Sequence, residues 1–241
     1  MKRLPDGTYA IGGDISIPGE GTSPFVVGVG WLLEIIELGS GKYFFFCDGK
    51  EVPLTLNRFG IFYPPFSIVK FHVYDMKGKY AGIGGFNGLP SGLPAAPLIF
   101  ETDWKKPFTA AADAAEVLAA ARNILSIEIN TRPSLLSLRA KRLIDENYQV
   151  YPSIARIAAR LKVSPEHLSR QFKRDYEMNP SSYLHQVRLA EATFKLSIGE
   201  EIAAISHDVG YNDLSRFYKQ FRKATKTSPG DCRTTLRSER F

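Results

Sequence analysis

The sequence predicts an α+β chain in two parts: a small β-barrel or sandwich, then an all-α region holding two helix-turn-helix units joined by a long helix. Residues 1–108 consist of short Val, Ile, Phe and Tyr runs punctuated by Gly and Pro, the texture of close-set strands. From Ser134 onward the apolar residues fall at helical spacing. The helical part also repeats itself, at an offset of 48 to 49 residues. These shifts divide the chain into a β-rich part (1–108), a helix and linker (109–133) and a helical part (134–241).

Within the β-rich part, Lys42–Cys47 and Lys50–Leu56 flank Asp48-Gly49, a dipeptide that accepts the positive φ of a two-residue hairpin turn. Val69, Phe71 and Val73 alternate with Lys70, His72 and Tyr74, giving a strand with one apolar face. Lys77-Gly78 reads as a further turn leading into Tyr80–Phe86. Residues 109–125 are Ala-rich and read as a single helix. Its Val117, Leu118 and Leu125 form a thin apolar stripe, either a dimer seam or a face docked on the barrel. Ser126–Pro133 reads as a linker.

The repeat pairs Ile154-Ala155-x-Ile157-Ala158 with Ile202-Ala203-x-Ile205-Ser206, and Leu168, Gln171 and Phe172 with Phe217, Gln220 and Phe221. In the first copy a helix over 153–161 is followed by a turn at Lys162-Val163. Ser164 then caps a second helix that opens with Pro165. That helix buries Leu168, Phe172 and Tyr176 and turns Glu166, Ser169, Arg170 and Lys173 outward. In the second copy Gly210 makes the turn and Asn212 or Asp213 the cap; Phe217 and Phe221 point inward, Ser215, Arg216 and Lys219 outward. Polar, Arg-bearing faces on second helices suit the major groove, where Arg forks onto guanine and Lys meets phosphate. One such helix would be ordinary solvated surface; two matched copies weaken that reading. Pro180–Leu196 is the strut between them.

Charge follows the same division. Of 31 basic and 25 acidic residues, 20 and 12 lie in 131–241, a net of +8, which leaves 1–130 at −2. A basic helical part fits nucleic acid as partner. Cys47 and Cys232 fit no disulfide framework or zinc spacing, and the opening residues lack the apolar run of a signal peptide. The longest apolar stretch, Pro24 to Ile36, is too short and Gly-broken to span a bilayer. A cytoplasmic protein that does not engage a membrane is expected.

The helical part resembles the AraC/XylS family of bacterial transcription regulators. The matching residues are Ser164, Leu168, Arg170, Phe172, Pro180, Tyr183, Arg188, Ala190, Ala204, Ile205, Val209-Gly210-Tyr211, Asp213, Phe217, Phe221, Pro229 and Arg233, in family order over about 135 to 235. The resemblance implies a seven-helix domain that reads DNA through Glu166, Ser169 and Arg170, then Leu214, Ser215, Arg216 and Lys219. Four positions depart from the pattern: apolar Leu214, Glu177 and Lys226 where Gly is common after each reading helix, and Cys232 in place of Tyr.

For residues 1–108 the resemblance implies a cupin-like effector-binding domain. Trp31, Phe44, Phe46, Phe62, Phe66 and Phe71 are its candidate pocket lining for a small apolar or aromatic effector, or else its own core. His72 is the only histidine there, so no metal or other cofactor is expected. No paired carboxylates, phosphate loop or nucleophile motif suggests an enzyme. The expected function is a sequence-specific, effector-controlled transcription regulator, with activation the working expectation; the alternative is control by a protein docked on the β-rich part. Double-stranded DNA, RNA polymerase, a small effector and a second copy of the chain are the implied partners.

Overall fold

The computed structural model describes residues 2–86, 89–130, 132–150 and 153–238, without the side chains of 22–25 and 235–238. The chain forms two compact units, Met1–Thr131 and Arg132–Phe241.

The first unit is one antiparallel sheet of eight strands: β1 (Lys2–Arg3), β2 (Tyr9–Val26), β3 (Trp31–Cys47), β4 (Lys50–Leu54), β5 (Arg58–Tyr63), β6 (Ile68–Gly85), β7 (Leu98–Glu101) and β8 (Arg122–Ser126). Their order is β1-β2-β6-β3-β5-β7-β8, with β4 paired to β3. The β3–β4 hairpin turns on Asp48 and Gly49, both at positive φ (49° and 73°), as that dipeptide predicts. The three longest strands break register at one level. Irregularities at Ile17/Glu20 and Leu38–Lys42 both face Asp75 of β6, and the Gly19 N–H donates to the Asp75 carboxylate at 2.8 Å. Gly41 is obligatory there, because a Cβ would meet the carbonyl oxygens of Tyr74 and Asp75 at 2.6 Å. Bulges bend a sheet, and here they bring Tyr43 of the far half against Phe59 of β5, with ring centroids 5.2 Å apart.

The folded sheet covers two apolar cores. One, inside the bend, holds Ile36, Tyr43, Phe45, Phe59, Ile61, Tyr63, Val69 and Val73. The other lies between the sheet and the helix α1 (Ala111–Ala119), where Trp31, Leu33, Phe62, Ile83 and Phe100 meet Ala114 and Val117.

Two sequence expectations fail in this unit. Lys77-Gly78 makes no turn: β6 runs through it, and a Cβ at Gly78 would collide with the Glu37 carbonyl of β3. The glycine serves close strand approach. The single helix expected over 109–125 ends at Ala119, and residues 122–126 form strand β8 on the free edge of β7. Ladder hydrogen bonds there override the helix propensity of the preceding alanines, and the Asn123 amide donates to Glu101 at 2.6 Å. The segment 109–130 therefore belongs to the sheet unit rather than forming a separate helix and linker.

The second unit has seven helices among its described residues: α2 (Leu135–Asn147), α3 (Ile154–Arg160), α4 (Pro165–Tyr176), α5 (Pro180–Ile198), α6 (Ile202–Asp208), α7 (Leu214–Thr225) and α8 (Pro229–Ser238). Caps fix their starts. Ser164, Asn179 and Asp213 accept from the backbone N–H groups of His167, Ser182 and Ser215 at 3.1, 2.8 and 2.9 Å, which settles the cap of α7 on Asp213. Pro165 and Pro180 follow two of these caps, where the missing N–H costs nothing.

Candidate nucleic-acid interface

α3–α4 and α6–α7 are built alike around their turns. Lys162 and Gly210 both take the left-handed conformation (φ 56° and 88°). Immediately after them, the Val163 N–H donates to Ala158 at 3.1 Å and the Tyr211 N–H to Ser206 at 2.9 Å. Each turn sets a second helix with one apolar stripe: Leu168, Phe172 and Tyr176 on α4, Phe217 and Phe221 on α7, all buried. The polar faces are thereby turned to solvent. Glu166, Arg170 and Lys173 are exposed on α4 with Ser169 half-buried beside them, and Ser215, Arg216 and Lys219 are exposed on α7. Both helices end in left-handed residues, Glu177 (φ 58°) and Lys226 (φ 63°), so the chain keeps the turn without the glycine, at about 1 kcal/mol each.

Buried polar contacts hold the frame. On α5 the Arg188 guanidinium donates to the Tyr148 carbonyl at 2.7 Å and lies over the Tyr211 ring. The Tyr183 hydroxyl donates to Asp145 at 2.5 Å, and Lys141 reaches the same carboxylate at 2.7 Å. Asp175, near the end of α4, accepts from the backbone N–H and hydroxyl of Ser134 at 3.0 and 2.6 Å and from Gln171 at 2.9 Å. Burial opposes its charge, but these donors prevail and hold its pKa at about 2. The reading helix α4 is thus tied to the N-cap of α2 through a permanent carboxylate.

On α4, Glu166 keeps its charge below the usual carboxylate range, through its own backbone N–H and the Ser164 hydroxyl. Such an acceptor can take the amino group of cytosine. The sequence reading passed over Arg222 and Lys223, which with Tyr218 and Lys219 line a surface hollow on α7. Their spacing of three and four residues from Lys219 was the available signal, and a row of cations on one helix face suits phosphate.

The effector and dimer candidates scatter over the sheet unit. Trp31 and Phe62 are buried in the core under α1. Phe44 and Phe46 point away from the inner core, against His72 and Tyr74 and under the Lys70 ammonium, respectively. Of the six, Phe71 packs on the inner core, beside Tyr43 and Tyr63, and Phe66 lies half-buried at positive φ between β5 and β6. Val117 is fully buried within its own unit, Leu118 packs partly on the same core, and Leu125 is half exposed on β8 beside Ile124. The sequence reading missed Glu34, a carboxyl of β3 on the inner face of the sheet.

Two solvent-facing basic helices, each set by the same turn, place the helical unit in the double helix-turn-helix class. Residues 157–235 match the family described as a helix-turn-helix domain. The chain is 33% identical over 91 residues to the HTH-type transcriptional activator RhaS of Pectobacterium carotovorum, 37% of this chain and 33% of that protein. It is 30% identical, over the same shares, to the lactose operon transcription activator of Staphylococcus xylosus. The chain thus spans about a third of the length of these curated relatives. The structure of ToxT from Vibrio cholerae with an unsaturated fatty acid bound resembles it over 97% of both chains, at a TM-score of 0.54 and 14% identity, a likeness of fold alone. The helical unit thus carries a helix-turn-helix domain similar to those of these activators, and the α+β fold of the chain resembles that of ToxT. No helix among the described residues is long and apolar enough to cross a membrane.

Proposed function

We propose that the chain is a cytoplasmic, sequence-specific transcription regulator, acting on its promoters as an activator and without enzymatic activity. In this reading Glu166, Ser169 and Arg170 of α4 and Ser215 and Arg216 of α7 meet base edges. Lys173, Lys219, Arg222 and Lys223 meet the phosphate backbone. The observation that carries it is the pair of equally built, exposed basic helices in one compact unit, in a domain related to transcriptional activators. A strut of 19 residues, α5, spans roughly 28 Å, of the order of one turn of DNA. RNA polymerase is then the partner that activation requires.

The sheet unit is assigned the control function, through a small effector with an apolar body. ToxT, whose fold it shares, has a solved structure with an unsaturated fatty acid bound. The exposed Ile124 and Leu125 on the last strand of the sheet favour a second reading, in which a protein partner or another copy of the chain docks on β8. Electrophoretic shift of a promoter library by the full chain and by residues 132–241 tests the main reading. Both should bind, and affinity should fall at least a hundredfold between about 50 mM and about 200 mM salt as counterions are released. Absence of binding at low salt overturns it.

A further inference from the structure

The first turn of α7 carries a large apolar side chain that the fold leaves uncovered. Leu214 is the first residue of α7, directly after the Asp213 cap. It lies three residues before Phe217 and seven before Phe221, on the stripe that those two bury. The core ends before it reaches Leu214. Phe217 packs on Tyr211 and Phe221, with ring centroids 5.5 and 5.7 Å away, while Leu214 keeps 43% of its surface exposed. Asn212, Asp213, Leu214, Ser215 and Arg216 form one exposed run, so this end of the helix projects from the unit. Asp213 holds it in shape by accepting from the Ser215 N–H at 2.9 Å.

Position within the helix decides what that side chain can reach. Side chains of an α-helix lean towards its N-terminus, which for a first residue is the direction of the open end. In helix-turn-helix proteins the N-terminal residues of the second helix meet base edges. The exposed neighbours of Leu214, namely Ser215, Arg216 and Lys219, suit a nucleic-acid duplex and not an apolar protein surface. A base edge that faces Leu214 has to match a side chain without donors or acceptors. Adenine, guanine and cytosine present only hydrogen-bonding groups in the major groove, whereas thymine adds a C5-methyl. Leu214 set against one of the first three strips water from polar groups and returns no partner. Against thymine it buries a methyl.

We propose that Leu214 determines specificity by reading the C5-methyl of one thymine in the base pairs that α7 covers. Methyl contact then joins the hydrogen-bonded readout of Ser215 and Arg216, and it selects T·A over the other three pairs at one position of the site. The apolar departure from the AraC/XylS pattern at this position thereby becomes a change of readout and not a lost contact. The inference rests on α7 entering the major groove, as the proposed function has it.

Duplexes that the full chain selects from a random-sequence library supply the probe. Each thymine is replaced in turn by uracil, which removes the methyl and leaves every hydrogen-bonding group in place. One such replacement should weaken binding about fourfold, the value of one buried methyl. Leu214→Gln, of similar size and helix propensity, should lose the thymine–uracil difference at that position and keep any at other positions. Leu214→Ser should do the same. Circular dichroism should show both variants folded, since the side chain lies outside the core. Three results overturn the inference: selected sites with no thymine at a fixed position, no thymine sensitive to uracil, or a full set of sensitivities that persists in both variants. Each of these leaves the regulator reading intact. Failure of the wild-type chain to select any DNA overturns that reading and this inference with it.

Discussion

Lys162 and Gly210 occupy the same left-handed turn position in the two helix-turn-helix copies, 48 residues apart, but only the second needs glycine. A Cβ at Gly210 would collide with the Gln149 carbonyl oxygen and meet the Arg188 guanidinium at 2.7 Å, whereas Lys162 is exposed. Gly210→Ala should therefore cost about 2–3 kcal/mol, strain and overpacking together. Lys162→Gly should stabilise by up to about 1 kcal/mol. Urea unfolding of residues 132–241 measures both, and equal effects would show that the turns are not distinguished by packing.

Arg170 and Lys219 project from different reading helices, and their side chains suit different tasks. Arg170→Ala should cost about 1–3 kcal/mol on the preferred site and relax preference at one end of it. Lys219→Ala should weaken all sequences alike and reduce the salt slope by about one charge. The effects should add, since the two residues share no partner. Footprints that lose protection over the same few base pairs in both variants would contradict separate reading segments.

Asp175 makes the helical unit acid-sensitive. Its folded pKa of about 2 lies below the ordinary 3.8, so its contribution is fully present above about pH 4. It should disappear as pH falls towards 2, a loss of about 2 kcal/mol. Asp175→Asn should flatten that part of the stability curve, read by circular dichroism of residues 132–241.

Glu34 gives the sheet unit the opposite slope. Burial of its carboxyl pushes the folded pKa up to about 7, above the ordinary 4.5, so the unfolded chain gives up the proton first as pH rises. Stability should be highest below about pH 4.5 and decline by up to about 3 kcal/mol as pH passes 7. Glu34→Gln should remove the decline. Tryptophan fluorescence during thermal unfolding follows it, and an unchanged slope in the variant would assign the effect elsewhere.

Local rules wrote much of this protein directly into its sequence. Asp48-Gly49, Ser164-Pro165 and Asn179-Pro180 mark a turn and two helix starts, because positive φ, side-chain capping and a missing N–H are properties of single residues. The outward set Glu166, Arg170, Lys173, Ser215, Arg216 and Lys219 was legible too, since helical periodicity alone separates it from buried Leu168, Phe172, Phe217 and Phe221. What lay beyond local reading depended on partners distant in the chain. Residues 122–126 became a strand because β7 offered an unpaired edge, and Gly78 proved to be a point of close approach because Glu37 of β3 passes over it. Bulges at Leu38–Lys42 reverse the alternation of β3, so that Phe44 and Phe46 point away from the inner core while Glu34, Tyr43 and Phe45 face into it. Parity along a strand holds only between bulges. The acidic end of that interior could therefore be found only once the sheet had folded.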